Sequence, residues 1–549
     1  MPVVTTYLKK LTSLLKEPIS NEVLIEKLPY LGLDIEEITD EYLRIEYNPN
    51  RPDFATDQGL ARGLNGILGF EVGPPKYPVS EGEIEIIVDE SVKMVRPFIA
   101  GIIANNIELD DECIRQIITL QEDLHNGVGR KRRKVSIGIH NLDVIKPPIE
   151  YTTASRNFQF VPLNEERDFT IEEILKKLDV GITYGYILNE VNNYPILKDS
   201  KDNVLSFPPI INSSLTNVTS ETKNLFVDIT GTDLKSVENA LSVLATTLYD
   251  IGSTLENVKI IYDKSNFKSS NMNPYEVEVD LKLTNELLGL DLSKSQVSEC
   301  LSKSRIGFKS KNGKNIAIIP KYRFDIMHQV DLVEEIAIGY GLDRISSTLP
   351  ESFRIGGLDE NLSSLDTIRE TLIGLGFIEV MNFSLVSNKI LYNNISRQRS
   401  NTLEVENTKS GEHEVLRDML LPSILQVFSK NNHEPYPQKI YEIAKVFVRD
   451  KNSPTGIREE YHVGVAISHS QASFTEAKSY LSSLALNAFG IELKTEASSS
   501  PIFYPGRTAE VKSGHMLVGE IGEVNPSVLD EFQTKMPIAA FELNLENLI

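Results

Sequence analysis

The chain has 549 residues, of which 41% are apolar, and it carries a formal net charge of −22. At about 150 residues per domain this length predicts roughly four domains, and the acidic balance excludes a chain that coats nucleic acid over its whole surface, because phosphate binding needs Lys and Arg. The apolar runs are too short for the ~20 residues of a membrane span, the start lacks a secretory signal, and two cysteines are too few for a disulfide framework, so we expect a multidomain protein of the cytoplasm.

Residues 1–80 predict a small N-terminal module. A helical pattern covers residues 21–28, and a strand pattern covers residues 42–45. The polar segment NPNRPD at 48–53 then leads into a helical pattern over residues 57–68. We expect one helix–strand–helix unit here.

A larger domain follows over residues 84–260. It begins with a strand pattern over 84–88, contains a helical pattern over 113–125 and closes with a helical pattern over 237–250. Between them lies the cationic run GRKRRK at residues 129–134. Such a run is usual in a solvated loop, and local nucleic-acid binding is an equally good interpretation.

The densest polar content of this domain lies between residues 194 and 233. Ser206 and Asn212 flank the rigid, apolar segment FPP at 207–209. Small polar groups beside an apolar wall can recognise one hydroxyl on a hydrophobic body. The residues alone leave two interpretations open, a loop-built binding pocket and an ordinary turn region.

Residues 272–347 predict a second small module, which carries four acids within eleven residues. Asp331, Glu334 and Glu335 open an amphipathic helix shortly after Asp325, and residues three and four apart share one helix face. These charges repel unless a cation lies between them, either Mg²⁺, which prefers oxygen ligands, or an Arg or Lys of a partner. Ordinary helix-start chemistry is the alternative, because acids in a first turn bind free N–H groups.

The two small modules share a repeated plan. Arg51 and Asp53 lie 272 residues before Arg323 and Asp325, and a Pro precedes each pair. We interpret the modules as copies of one fold that flank the larger domain, with chance similarity as the alternative. Because Gly and Arg replace the acids in the first copy, only the second copy is expected to hold a cation.

Residues 357–549 predict an antiparallel α+β domain. Helical patterns cover residues 365–374, 422–428 and 475–489, and strand patterns cover 377–385, 439–448, 463–468, 509–511, 518–522 and 541–543. The chain contains no Walker motif, nucleophile elbow, HExxH or Cys-x-x-Cys. Its eight histidines are scattered, and only His328 lies beside the acids, where we expect a solvent-facing loop.

Five motifs, in this order, carry a resemblance to a known family. They are NPNRPD at 48–53, GRKRR at 129–133 running into SIGIH at 136–140, SFPPIIN at 206–212, DITG at 228–231, and RxD with DLVEE at 323–335. With them the chain resembles, essentially from end to end, the beta subunit of phenylalanyl-tRNA synthetase in its archaeal and eukaryotic-cytosolic form. The length also fits that form, because the bacterial form carries additional terminal modules.

The resemblance implies a class II phenylalanine–tRNA ligase built from two alpha and two beta chains. ATP and phenylalanine would be bound by the alpha subunit, and residues 357–549 would be a class II synthetase-like domain without an active site. Similar beta subunits hold Mg²⁺ on acids that correspond here to Asp325, Asp331, Glu334 and Glu335. Because this chain is acidic, tRNA(Phe) is expected to contact it mainly near residues 130–134 or to lie on a more basic partner.

The resemblance also implies that residues 84–260 form an editing domain, which hydrolyses tyrosine wrongly joined to the tRNA. A hydrophobic synthetic pocket rejects an added hydroxyl only weakly, so a second site is needed. In similar subunits a Leu, a Ser and an Asp bind tyrosine and an Asn positions the water, and these correspond to Leu197, Ser206, Asp228 and Asn212. Two alternatives are a scaffold and tRNA-docking subunit without editing, and a stand-alone Mg²⁺-dependent hydrolase centred on residues 325–335.

Overall fold

The computed structural model describes residues 2–263, 265–269, 271–349, 355–408, 410–546 and 548. The chain divides into two compact units, residues 1–349 and 350–549. Within the described residues, no helix combines the length and the apolar character needed to cross a bilayer.

The first unit begins with a small α+β module. It contains strands β1 (Val3–Tyr7), β2 (Asp34–Ile38) and β3 (Tyr42–Glu46) and helices α1 (Leu8–Ser13), α2 (Asn21–Lys27) and α3 (Asp57–Ile67). The strands form an antiparallel sheet in the order β1-β3-β2. Thr56 caps α3, because its hydroxyl accepts the N–H of Gly59. The predicted helices over 21–28 and 57–68 are confirmed to within one residue.

Two sheets form the centre of the first unit. Their strands are β4 (Val79–Ser80), β5 (Glu85–Val88), β6 (Phe98–Asn105), β7 (Val135–Asn141), β8 (Ile149–Ala154), β9 (Gln159–Phe160), β10 (Phe169–Thr170), β11 (Tyr194–Lys198), β12 (Val204–Phe207), β13 (Ile211–Asn212), β14 (Leu225–Gly231), β15 (Thr254–Asn257), β16 (Lys259–Tyr262) and β17 (Ser265–Lys268). A five-stranded sheet has the order β4-β15-β6-β14-β7, a seven-stranded sheet has the order β13-β12-β11-β8-β5-β16-β17, and β9 pairs with β10.

The five-stranded sheet has one core on each face. Helices α4 (Asp111–Asn126) and α7 (Leu234–Asp250) pack on one face, where Leu225, Val227 and Ile229 of β14 are buried. Phe226 belongs to a core shared with the seven-stranded sheet. Because side chains alternate along a strand, Asp228 projects to the same side as Phe226. Two shorter helices, α5 (Ile171–Lys177) and α6 (Asp179–Tyr184), complete this part.

The second small module has the element order of the first. Its strands are β18 (Tyr275–Glu278), β19 (Gly307–Lys311) and β20 (Lys314–Ile319), and its helices are α8 (Leu281–Leu288), α9 (Lys294–Lys303) and α10 (Gln329–Tyr340). The sheet order β18-β20-β19 matches β1-β3-β2. Helices α3 and α10 begin 272 residues apart, the same offset that separates the two Arg-x-Asp segments.

The two modules contact each other closely. A Cβ atom placed on Gly66 of α3 would lie 2.2 Å from the carbonyl oxygen of Lys303 in α9, so this approach requires glycine. The Arg51 guanidinium lies 3.9 Å from a carboxylate oxygen of Glu335. The repeated segments therefore meet at a shared, buried, charged contact.

The second unit is built on one large sheet. It contains β21 (Ile378–Glu379), β22 (Leu385–Val386), β23 (Leu403–Glu404), β24 (Val415–Leu416), β25 (Gln438–Arg449), β26 (Ile457–Ser468), β27 (Lys494–Ala497), β28 (Phe503–Ser513), β29 (Met516–Val524) and β30 (Ile538–Asn544), with α11 (Glu360–Gly374), α12 (Leu421–Lys430), α13 (Phe474–Leu484) and α14 (Pro526–Glu531). The seven-stranded order is β21-β25-β26-β30-β29-β28-β27, and only the β21–β25 pair is parallel. The predicted antiparallel α+β arrangement is confirmed.

One predicted strand of the second unit is wrong. Residues 377–385 do not form a continuous strand, because only Ile378 and Glu379 pair with β25 before the chain leaves the sheet. Met381 and Phe383 are then 94% and 77% exposed, while Asn382 donates to Glu442. The predicted helix over 475–489 is α-helical only as far as Leu484, where α13 ends, and residues 485–489 form a π-helical turn.

Candidate functional site

A cleft of about 320 Å³ lies in the first unit, where α4 and β7 face the segment that contains β12 and β13. Ile117 of α4 and Pro208 and Pro209 after β12 contribute apolar surface to its lining. Ser206, Asn212 and Asp228 place polar groups in the same lining. The pocket interpretation of residues 194–233 is therefore supported over the ordinary turn region, and three of the four predicted editing residues come together.

Ser206 contributes an unpaired hydroxyl to the cleft. Its side chain is only 3% exposed, and its Oγ has no hydrogen-bond partner within the described part of the chain. A buried hydroxyl without a partner costs about 1–3 kcal/mol, so it is rarely retained without use. Ser206 lines the cleft, and its hydroxyl is a polar group of this lining that the described chain leaves unpaired.

Asn212 lies on the edge strand β13, where its backbone is paired and its side chain is half-buried. The backbone of Asn212 is in register with Ser206, and its carbonyl accepts the N–H of Leu163. Among the described residues, none hydrogen-bonds to the Asn212 amide side chain. That amide can therefore both donate to and accept from a water or a ligand in the cleft.

Asp228 is buried on β14 and takes part in a hydrogen-bonded chain that crosses the cleft floor. The Nε2 atom of His140 lies 2.8 Å from Oδ2 of Asp228, and Nδ1 of His140 lies 2.8 Å from Oγ1 of Thr216. An ionised carboxylate only accepts, so Nε2–H of His140 donates to Asp228, and Nδ1 shares a hydrogen bond with the hydroxyl of Thr216. This chain fixes the direction in which the carboxylate of Asp228 points.

Gly138 makes that contact sterically possible. It is the register partner of Asp228 on β7. A Cβ atom at position 138 would lie 2.2 Å from Oδ2 of Asp228 and 2.6 Å from Nε2 of His140. Glycine is required because any side chain would separate the acid from the imidazole.

Leu197 is placed differently from its expected role. It is the cross-strand neighbour of Ser206 on β11, so both side chains project from one face of the sheet. Leu197 is fully buried in the core between the two sheets and is not part of the cleft lining. In this structure its side chain belongs to that core, and its tyrosine-binding role stays a prediction.

Sequence patterns gave no site role to His140 or Gly138. His140 was counted among scattered histidines, although it closes the SIGIH segment at 136–140. The period of a strand places residues 136, 138 and 140 on one face, and this pattern was the available signal. Nothing local, however, indicated that this face meets Asp228, which is 88 residues away from His140.

The cationic run at residues 129–134 forms a tight turn beside the cleft. Arg130, Lys131 and Arg132 all have positive φ, at 47°, 55° and 64°, and such backbone costs about 1 kcal/mol or more per residue. The side chain of Arg132 lines the cleft and donates to the carbonyl of Ile210 at 2.9 Å. The turn therefore forms part of the cleft wall.

Arg96 holds this turn from beneath. It is 1% exposed and donates to the carbonyls of Arg132 and Arg133 and to Thr230. Burial lowers the pKa of the Arg96 guanidinium to about 10, which still leaves it charged at neutral pH. A buried cation thus stabilises the left-handed backbone of residues 130–132.

The four acids of the second module do not form a metal-ligand set in the described structure. Arg323 donates to Asp325 at 2.8 Å and also to Glu335. Asp331 accepts the N–H groups of Met327 and His328 at 2.7 Å, so it caps α10. Within the described residues, no group of three His, Cys, Asp or Glu side chains has the arrangement that a metal needs.

The helix-start interpretation therefore describes Asp331, and an arginine is the cation beside Asp325 and Glu335. That arginine belongs to this chain and not to a partner. Glu334 is exposed. His328 is the exposed N-cap of α10. The Mg²⁺ assignment of Asp325, Asp331, Glu334 and Glu335 stays a prediction, and these residues as arranged do not fit it.

Comparison with known proteins defines the class of the chain. Three families match in order: the B3/4 domain over residues 114–247, the tRNA synthetase B5 domain over residues 277–342, and the phenylalanyl tRNA synthetase beta chain CLM domain over residues 345–545. The fold and these matches define a tRNA synthetase chain.

The particular family follows from full-length relatives. A protein of Archaeoglobus fulgidus named phenylalanine–tRNA ligase beta subunit is 38% identical over 99% of this chain and 98% of its own length. One of the same name from Methanocaldococcus jannaschii is 35% identical over 100% of both chains. A solved N-terminal fragment of the phenylalanyl-tRNA synthetase beta-subunit of Pyrococcus horikoshii, 36% identical with a TM-score of 0.59, covers 62% of this chain and 99% of the fragment. The chain belongs to the phenylalanyl-tRNA synthetase beta-subunit family.

Proposed function

We propose that this chain is the editing subunit of a phenylalanine–tRNA ligase and that its cleft hydrolyses tyrosine from mischarged tRNA(Phe). The observation that carries the proposal is the unpaired, buried hydroxyl of Ser206 beside an apolar wall. A site of this kind favours a ligand with one hydroxyl on an apolar ring, because an unhydroxylated ring leaves the polar group unpaired.

In the proposed reaction, water adds to the ester carbonyl that joins tyrosine to the terminal ribose, and the ribose oxygen leaves with a proton. Asn212 would orient this water through its free amide side chain. Ser206 and Asp228 would bind the phenolic hydroxyl, with Asp228 held in direction by His140. The products are tyrosine and free tRNA, and the step needs no further reactant.

The paired charges of the second unit support an adenylate-forming centre on another chain. Arg417 donates to Glu442 at 2.8 Å, and both are buried. Glu542 accepts the N–H groups of Leu420 and Leu421 at the start of α12. Glu442 and Glu542 are thus hydrogen-bonded within the second unit and are not free to bind a substrate. This favours a structural role for the sheet over a catalytic one.

We therefore propose an alpha subunit as the partner that binds ATP and phenylalanine, in an assembly of two alpha and two beta chains. Mg²⁺ on the second module is part of this proposal only as a prediction. Because Arg323 is paired with Asp325 and Glu335, Mg²⁺ could bind these carboxylates only after the ion pairs break. No step of the hydrolysis is assigned to the metal.

The test is deacylation of tyrosyl-tRNA(Phe) by the parent chain and by Asn212→Ala. We expect the variant to lose most of the rate at saturating substrate, because the oriented water is lost. Asn487→Ala removes an exposed asparagine of the second unit and is the matched control. Equal rates for the parent and Asn212→Ala would favour a subunit that only supports and docks tRNA.

A further inference from the structure

Two adjoining grooves lie beside the cationic turn and share one aromatic residue, Tyr186. The first, of about 390 Å³, is lined by Arg96, Arg133 and Tyr186 among others. The second, of about 460 Å³, is lined by Arg156, Tyr186 and Tyr194 among others. We call the two together the tyrosine groove. Tyr186 and Leu188 line both parts, so the two grooves adjoin each other.

In the tyrosine groove the exposed ring of Tyr186 lies among cationic side chains. The Arg133 guanidinium lies 5.1 Å from the centre of the Tyr186 ring, and Tyr186 is 41% exposed. Arg156 donates to the Tyr194 hydroxyl at 3.1 Å. The one carboxylate in the lining, Glu172, is paired with Lys176 at 2.6 Å. The groove therefore presents unneutralised positive charge on a chain whose net charge is −22.

The cationic turn connects the tyrosine groove to the cleft. Arg132 lines the cleft, and its guanidinium lies 4.4 Å from the centre of the Tyr184 ring. The next residue, Arg133, lines the groove. Arg130 and Lys131 are exposed on the same turn. Because Arg96 binds the carbonyls of Arg132 and Arg133, the wall between groove and cleft is held in place before any ligand arrives.

We propose that the tyrosine groove binds the single-stranded 3′-terminal nucleotides of an RNA and leads the last one into the cleft. Cations along a groove bind the phosphates, and aromatic faces stack with bases, which is the combination that single-stranded RNA uses. An acidic peptide would use the charges but would not need the exposed face of Tyr186. The inference rests on the proposed function for the direction of the strand, whereas binding itself can be measured without hydrolysis.

The experiment measures fluorescence anisotropy of a labelled 12-nucleotide RNA ending in CCA with the full chain. We expect Tyr186→Ala to weaken binding roughly 5- to 100-fold, because one stacked base is lost. Arg133→Ala should weaken binding and lower the salt slope by about one. Tyr504→Ala is the matched control, since Tyr504 is 45% exposed and lies 5.7 Å from Arg507 in the second unit.

Each outcome decides the inference. Loss of RNA affinity in Tyr186→Ala and Arg133→Ala, with Tyr504→Ala at the parent value, supports it. Three results overturn it. They are unchanged RNA affinity in both variants, no RNA binding by the parent, and variants that lose affinity for a labelled polyglutamate peptide but keep their affinity for RNA. Circular dichroism spectra that match the parent exclude misfolding as the cause.

A second readout separates this inference from the proposed function. Tyr504→Ala, in the second unit, should keep both the RNA affinity and the deacylation rate of the parent. In deacylation, Tyr186→Ala should raise KM for tyrosyl-tRNA and leave the rate at saturation unchanged. If no deacylation occurs at all, the proposed function fails. The anisotropy measurement still shows whether the tyrosine groove binds RNA.

Discussion

The unpaired hydroxyl of Ser206 gives the cleft a signature in which stability and activity change in opposite directions. Its removal in Ser206→Ala deletes a buried polar group that has no partner in the described chain. An unsatisfied hydroxyl costs about 1–3 kcal/mol, so the variant should be as stable as the parent or up to about 1 kcal/mol more stable. A hydroxyl that served the fold would give the reverse sign.

The matched control is Ser213, seven residues further along the same segment. It is 4% exposed, against 3% for Ser206, but its Oγ donates to the carbonyl of Val161 and accepts the N–H of Leu215, both at 3.3 Å. Ser213→Ala should therefore lose about 1 kcal/mol of stability. Each variant removes one hydroxyl oxygen at a similarly buried position, so their free energies of unfolding compare an unpaired hydroxyl with a paired one.

Activity should show the opposite order. If Ser206 binds the tyrosine hydroxyl with about 1–2 kcal/mol, Ser206→Ala should lower kcat/KM for tyrosyl-tRNA(Phe) by roughly 5- to 30-fold. Urea unfolding, followed by tyrosine fluorescence, measures the change in stability, and single-turnover deacylation measures the change in activity. A Ser206→Ala chain that loses more than about 1 kcal/mol of stability and keeps full deacylation would refute the assignment.

Three further predictions follow from buried contacts. Gly138→Ala should cost about 1–3 kcal/mol in urea unfolding and lower deacylation, because the added Cβ lies 2.2 Å from Asp228 Oδ2; an unchanged chain would contradict the steric argument. Burial lowers the pKa of His462, but its hydrogen bond to Glu542 outweighs burial and raises the pKa above 6.5. The loss of stability in His462→Gln should therefore be largest below pH 6.5 and should decline as the pH rises. A loss that does not depend on pH would contradict this. Burial raises the pKa of Asp53, but the surrounding arginines outweigh it and hold the pKa far below 3.8, so Asp53→Asn should cost about 3–5 kcal/mol at neutral pH, and that difference should shrink as pH falls below 3.8; a difference that grows in acid would contradict it.

Local sequence patterns predicted most of the secondary structure, because periodicity depends on which face of an element is buried. The strand over 439–448 appears as β25 (Gln438–Arg449), and the helix over 113–125 appears as α4 (Asp111–Asn126). The strand over 377–385 was wrong for a physical reason. Its apolar residues Met381 and Phe383 are exposed because the chain leaves the sheet after Glu379, although β25 continues to Arg449. A pattern of residue types cannot say where a segment leaves its sheet.

The site was predictable where its residues are close in sequence. Ser206 and Asn212 lie six residues apart, and both line the cleft. The partners of buried charges were not predictable, because they come from distant segments. His140 meets Asp228 across 88 residues. The pairing of Arg323 with Glu335 was also not predicted, although both lie within one short stretch, since a shared helix face shows proximity but not which cation is bound.

The most direct test compares hydrolysis of tyrosyl-tRNA(Phe) and phenylalanyl-tRNA(Phe) by the parent chain under single-turnover conditions. A cleft that pairs Ser206 and Asp228 with the phenolic hydroxyl should hydrolyse the tyrosyl ester at least about tenfold faster, because phenylalanine leaves these buried groups without partners. Equal rates for the two esters, or no hydrolysis of either, would contradict the proposal that this cleft selects tyrosine.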